Sequence, residues 1–387
     1  MTAHLADARG VELDAIETHT GILLNQRRTP ASSNSGGFDG STPEQALEDA
    51  LIPALQRTPC LVAYSGGRDS SALLAAATHV ARRHGLSDPV PITFRFPQHP
   101  RTQETSWQEL TVHHLGTSDW VILETELDLD VIGTAARPAL RRHGLYWPPN
   151  AHSLLPLMRQ AAGGSLITGN GGDELFSPWV WLRVARIRAG GMLPTRMDLR
   201  ALALSFLPGA ARRAAYERMS GFGPKWLTPA ATRALRRRFA TDLRFAGSWR
   251  SELELYLSSR FREVAADTFR RFADDAGTTL VEPFFDSRYV LAVGHHAPPE
   301  GFKSRSEAMY VHFGKLLPDK VLQRSDKAVF TEVSAGASSR KFADAWDGSG
   351  VDPSVADPEM VRSVWRSERP SMQSLTMLQA AFLATGA

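Results

Sequence analysis

The sequence predicts an α/β protein: a doubly wound parallel sheet with a mostly helical C-terminal part. Three observations carry that expectation. Short apolar runs at 60–64, 91–96, 119–124 and 165–168 alternate with helical stretches at 71–84, 103–115 and about 151–161, the rhythm of strands joined by crossover helices. Two of these runs stop in glycine-rich polar turns, which in such sheets lie at the carboxyl edge where ligands bind. Beyond Leu175 the pattern turns helical, with an amphipathic segment at 251–273 whose Leu253, Leu257, Phe261, Val264, Phe269 and Phe272 read as core.

Taken in order, a lead-in (1–41) ends in Ala31-Ser-Ser-Asn-Ser-Gly-Gly-Phe-Asp-Gly-Ser41, a linker composition. Thr42-Pro43-Glu44 then opens a helix with an N-cap, a first-turn proline and an early acid. Cys60 to Tyr64 has the length and character of a buried strand, and Leu73, Leu74, Ala77, Val80 and Ala81 follow at helical spacing. The loop between them, Ser65-Gly66-Gly67-Arg68-Asp69-Ser70, therefore sits at a helix N-terminus, where free N–H groups and the dipole favour an anion. Gly66 and Gly67 let backbone approach an oxyanion, and Ser65 and Ser70 add hydroxyl donors. Asp69 does not suit a bare anion site, and its presence implies a metal ion between it and the phosphates. The loop is not of the Walker type: G-x-x-x-x-G-K-[ST] is absent and no lysine precedes Lys225. A second short strand, Ser165 to Thr168, runs into Gly169-Asn170-Gly171-Gly172-Asp173-Glu174-Leu175-Phe176.

The first loop resembles that of the ATP pyrophosphatases (the PP-loop type), which hold the β- and γ-phosphates and cut ATP between α and β. The second turn resembles the other signature of the asparagine synthetase superfamily, which ends in Asp-Glu-Leu-Phe. Pro283-Phe284-Phe285-Asp286 is similar to that family's Pro-Phe-Leu-Asp, and Leu317, Pro318, Val321 and Arg324 fit its Leu-Pro-x-x-Val-x-x-Arg-x-Lys-x-x-Phe run, with Lys327 and Phe330 each one position later than that spacing. The resemblance covers residues 42–332, leaving 333–387 as a helical extension.

The resemblance implies an AMP-forming amide ligase. It would use ATP and Mg2+ to turn a carboxylate into its acyl-adenylate, which an amine then attacks. Carried over by motif, Ser65, Gly66, Gly67 and Ser70 would hold the pyrophosphate portion, with Gly171 and Gly172 on the second turn, and Asp69 and Asp173 would bind the magnesium. Lys327 would neutralise charge developing on the phosphate and at the tetrahedral centre. Arg324 and Glu104 read either as site residues or as a surface pair, and Glu282 either as the base or as a cap.

Departures from the family narrow the expected chemistry. Residue 2 is Thr, and the lead-in is too short for a cysteine-headed glutaminase domain. Asn170 stands where asparagine synthetases carry a glutamate, and Thr279 and Val281 stand in place of Glu and Arg. The expected amine is therefore not glutamine-derived ammonia. The chain looks most like the specialised-metabolite branch that includes β-lactam synthetases and lasso-peptide macrocyclases. An RNA-modifying pyrophosphatase and a non-catalytic nucleotide- or partner-binding homologue are the alternatives.

Composition bounds the rest. With 387 residues, 43% of them hydrophobic, the chain can bury one large core or two smaller ones. No signal-peptide pattern or bilayer-length apolar run is found, so a soluble, cytoplasmic protein is expected. The single cysteine, Cys60, excludes an internal disulfide, and the pairs His113-His114 and His295-His296 read as structural. Between Val180 and Arg250 fourteen arginines and one lysine face only Asp198, Glu217 and Asp242. This insertion, about 180–250, reads either as a solvated helical face or as a site for an acidic peptide, a carrier or RNA. A partner protein is a further expectation for a lone synthetase domain.

Overall fold

The computed structural model describes residues 12–24, 38–124, 128–177, 183, 187, 190, 193–218, 223–242, 248–324 and 331–386. Strands β1 (Cys60–Ala63), β2 (Val90–Arg95), β3 (Val121–Glu124), β4 (Ser165–Ile167) and β5 (Thr279–Val281) form one sheet in the order β3-β2-β1-β4-β5. All pairs are parallel, with Leu61 opposite both Val90 and Leu166, and Leu166 opposite Leu280. The chain winds from β1 outward to β3 and then returns to the other side of β1. The switch point thus lies between β1 and β4, where a crevice opens beyond the strand ends.

The α-helices among the described residues up to 177 are α1 (Ala15–Thr20), α2 (Pro43–Leu55), α3 (Arg68–Arg83), α4 (Thr105–Leu115), α5 (Arg137–His143), α6 (Leu155–Gln160) and α7 (Gly172–Phe176). Thr42 caps α2 as its sequence predicts, in a reciprocal box with Gln45. Helix α3 begins three residues before the expected 71, because Gly67 takes an extended conformation as its N-cap and draws Arg68, Asp69 and Ser70 into its first turn. The amphipathic segment at 251–273 is two helices, Trp249–Leu257 and Arg260–Ala276. Ser259 separates them, its hydroxyl donating to the Tyr256 carbonyl at 2.6 Å, a local bond that competes with continued helix. Strand β5 escapes sequence reading because its three residues are only partly buried and no glycine turn follows them, unlike the equally short β4.

Alternating side chains of the sheet feed two cores. Leu61, Ile92 and Leu166 pack with α6, helix Arg260–Ala276 and the C-terminal helix Leu375–Ala384. Cys60, Val62 and Ile167 point the other way, onto α2, α3 and helix Ser287–His296. A sheet covered on both faces needs apolar side chains on both, which is why its central strands read as continuous apolar runs. Cys60 is buried and free, as expected. His295 stacks on Phe38 and His114 meets the Leu316 carbonyl, in keeping with structural roles.

Residues 14–19 and the helices after 331 are built into this frame. Arg260 pairs with Glu17 of α1 at 3.0 Å, both buried, and Trp226 donates to the His19 carbonyl at 2.8 Å. Buried Asp130, after β3, accepts from the backbone N–H of Gly336 and Ser339 and from the Ser339 hydroxyl, so the C-terminal helices dock against the sheet. The arginine-rich region contributes helices Arg196–Ser205, Gly209–Glu217 and Pro229–Asp242. Part of its charge is used internally, Arg183 on Asp198 and Arg238 on Asp14. Among the described residues no helix is long and apolar enough to cross a membrane.

Candidate functional site

The loop after β1 is held by its own hydroxyls. The Ser65 N–H donates to Ser70 Oγ at 3.2 Å, the Gly67 N–H to Ser65 Oγ at 3.2 Å, and Ser70 Oγ–H to the Gly67 carbonyl at 3.1 Å. Gly66 sits at φ +86°, and a Cβ there would stand 2.9 Å from Gln108 Cγ, so glycine is required on both counts. The first-turn amides of α3 have no intrahelical acceptors. They open onto a cavity of about 470 Å3 at the switch point, lined by Ser65, Gly67, Asp69 and Ser70 from this loop and by Thr168, Gly169, Asn170 and Asp173 from the turn after β4. Its opposite wall is apolar, with Ile92, Phe94 and Phe96 from the β2 end and Leu129, Leu157 and Val333 beyond.

The two glycine turns interlock. A Cβ on Gly172 would lie 2.5 Å from Asp69 Cγ, and one on Gly169 would lie 3.2 Å from the Ser70 nitrogen. Only bare backbone lets the second turn come this close, and the approach sets Asp69 and Asp173 across from each other. Arg305, at the first turn of helix Arg305–Phe313, bridges them: Nη2 donates to both Asp69 oxygens at 2.5 Å and Nη1 bonds Asp173 Oδ1. Both carboxylates thus reach one cationic group. Carboxylate oxygens are the donors a hard divalent cation takes, so the pair fits Mg2+. Among the described residues no cluster of three or more His, Cys, Asp or Glu could hold a metal. The fit is to a cation that completes its shell with phosphate oxygens and water.

Arg324 also lines the cavity, but its guanidinium is committed elsewhere. It forks onto Glu104, with Nη2 to Oε1 at 2.9 Å and Nη1 to Oε2, donates to the Gly66 carbonyl at 2.8 Å, and lies over the Trp107 ring. At 3% and 7% exposure Arg324 and Glu104 are a buried brace for the loop, which removes the surface-pair alternative. Gly171 and Gly172 lie beneath the cavity wall; Gly171, at φ +91°, leaves room for the Tyr256 hydroxyl. Lys327 falls outside the described residues.

Glu282 stands one hydrogen bond behind the wall. Its Oε1 accepts from Asn170 Nδ2 at 2.8 Å and Thr168 Oγ1 at 3.5 Å, and burial pushes its carboxyl up to about 7 against the lowering effect of those bonds and of Arg262. Asn170, on the turn after β4, therefore holds a carboxylate supplied from just past β5. Sequence reading misses Arg305 and Arg68, both on the cavity. Arg68 stands inside the Ser65–Ser70 loop, a signal that could have found it, whereas nothing in the spacing of Arg305 separates it from the chain's many other arginines.

The geometry now meets the comparison with known proteins. The asparagine synthase family matches residues 43–378, most of the chain. The chain belongs to the asparagine synthase family. That family's members are ATP-dependent amide-forming ligases, and the parallel sheet with its loop after β1 is the family's ATP pyrophosphatase fold. The match continues past Phe330, the last sequence motif, through the helices that dock on Asp130. No curated protein matches the chain.

Proposed function

We propose that this asparagine synthase family protein joins a carboxylate to an amine by AMP-forming adenylation. The observation that carries the reading is the interlock of the two glycine turns, which sets a phosphate cradle and two facing carboxylates at the polar end of one cavity. In this reading the loop Ser65–Ser70 and the α3 amides hold the β- and γ-phosphates. Asp69 and Asp173 would hold Mg2+, which supplies charge neutralisation on the phosphates when bound. The apolar wall takes the purine and the hydrocarbon part of the acyl group. A substrate carboxylate oxygen attacks the α-phosphorus, and the bond to the β-phosphate oxygen breaks as pyrophosphate leaves. The amine nitrogen then attacks the acyl carbon, gives up its proton with Glu282 as the base of this reading, and AMP departs with the electron pair of the C–O bond. Lys327 belongs to the same reading as the cation that meets charge on the phosphate and the tetrahedral centre.

The amine is one other than glutamine-derived ammonia, because Asn170, Thr279 and Val281 depart from the family's residues at the acceptor side. A peptide or natural-product substrate fits this departure best. None of the described residues between 183 and 250 lines the cavity. The arginine-rich face would therefore serve an acidic peptide, carrier or partner protein from outside the catalytic pocket.

The test is the nucleotide product formed from Mg·ATP and a pooled metabolite and peptide extract, with Asp69→Ala alongside. AMP and pyrophosphate that vanish in Asp69→Ala, a loss of about a hundredfold or more, are expected. ADP as product would overturn the reading, and AMP release that required added RNA would move it to a nucleic-acid substrate.

A further inference from the structure

Arg305 lines the cavity from a helix of its own and reaches across to both glycine turns. Its side chain is 13% exposed, and its two terminal nitrogens engage Asp69, Asp173 and, at 3.1 Å, Ser177 Oγ. Its Nε–H is buried with no acceptor among the described residues. The guanidinium has taken the geometry the carboxylates dictate and leaves one of its own donors unsatisfied, which costs free energy. Beside it Arg68, on the first turn of α3, donates to Ser306 at 3.1 Å, so two arginines flank the mouth of the phosphate cradle. An incoming polyphosphate offers Arg305 a second anionic partner within the same cavity.

We propose that Arg305 is a resident counter-cation of the metal site, one that excludes free divalent metal until nucleotide arrives. This rests on the reading that Asp69 and Asp173 hold Mg2+ beside the pyrophosphate. Without nucleotide, a metal must displace a guanidinium that bridges both carboxylates. With nucleotide, Arg305 moves onto the phosphate oxygens and gives up the two carboxylates as the metal enters. Metal and nucleotide therefore bind cooperatively, and by linkage each raises the affinity of the other. Arg305 thus gates the metal in the free protein and contacts the nucleotide's phosphates in the loaded one.

The test uses Mn2+ as the probe, read by loss of the free-ion paramagnetic resonance signal on nucleotide-free protein. Wild type should bind Mn2+ weakly, and Arg305→Met should bind it at least about tenfold more tightly. Arg305→Lys, which keeps the charge without the fork, should fall between. Adding Asp69→Asn to Arg305→Met should abolish the gain. Because Arg305→Met leaves two facing carboxylates, its thermal midpoint is measured with and without Mn2+; the metal should raise it in the variant and not in wild type. Equal Mn2+ affinity in wild type and Arg305→Met overturns the inference. A parallel titration with a non-hydrolysable ATP analogue separates the two ideas. Asp69-dependent Mn2+ binding there, with no effect of Arg305→Met on metal alone, removes the counter-cation role and leaves the metal site. Absence of Asp69-dependent binding with the analogue removes both.

Discussion

Glu282 shows how one residue's environment sets its chemistry. Burial raises its carboxyl to about 7, while the Asn170 and Thr168 donors favour the charged form without overcoming that burial. As a base it works deprotonated, so turnover should climb as pH rises through about 7. Glu282→Gln should lower turnover by about a hundredfold and remove that limb of the profile. A wild-type profile flat between pH 6 and 8 would sink the assignment. The stability sign follows from the same shift: the folded state keeps a proton that the unfolded chain releases near 4.5, so this group's contribution falls as pH rises from there to about 7. In sequence Glu282 is only a carboxylate next to Pro283. Its partnership with Asn170, 112 positions away, exists only once β4 and β5 lie side by side.

Among elements, the two glycine turns behave as one. Gly172→Ala places a methyl where Asp69 Cγ already stands, and the turn must shift by several tenths of an ångström. The variant should fold, with stability lowered by about 1–3 kcal/mol, and should lose pyrophosphate release far beyond what that loss explains. Activity within about twofold of wild type would show that the turns need not touch. The brace beneath the first loop is a different kind of device. Removing the carboxylate that faces Arg324 in Glu104→Gln should cost about 3–5 kcal/mol in urea unfolding, since a buried guanidinium loses its counter-charge. Charge reversal of exposed Arg82 or Asp88, a surface pair, should cost under about 1 kcal/mol in the same assay. The sequence spells out the residues of both turns but only the packed structure supplies their contact. It gives no sign that Glu104 and Arg324, 220 positions apart, meet.

At the scale of the whole molecule, two cores back onto one sheet, and α1 and the C-terminal helices lock against the same frame. Arg260→Met should loosen α1 and the helices around it together, with a loss of about 3–5 kcal/mol that shrinks as acid protonates Glu17, whose carboxyl burial already pushes up. A variant as stable as wild type at neutral pH would show that the lead-in is peripheral. The alternation of four strands and their helices, the two glycine turns and the family were determined by the sequence alone, because each is written in local period and local chemistry. Tertiary structure decided the rest. Strand order put the turns after β1 and β4 next to each other, brought Arg305 between two aspartates from different turns, and set Glu282 behind Asn170. Those contacts join residues more than a hundred positions apart, and no local period encodes a meeting that only the closing of the sheet brings about.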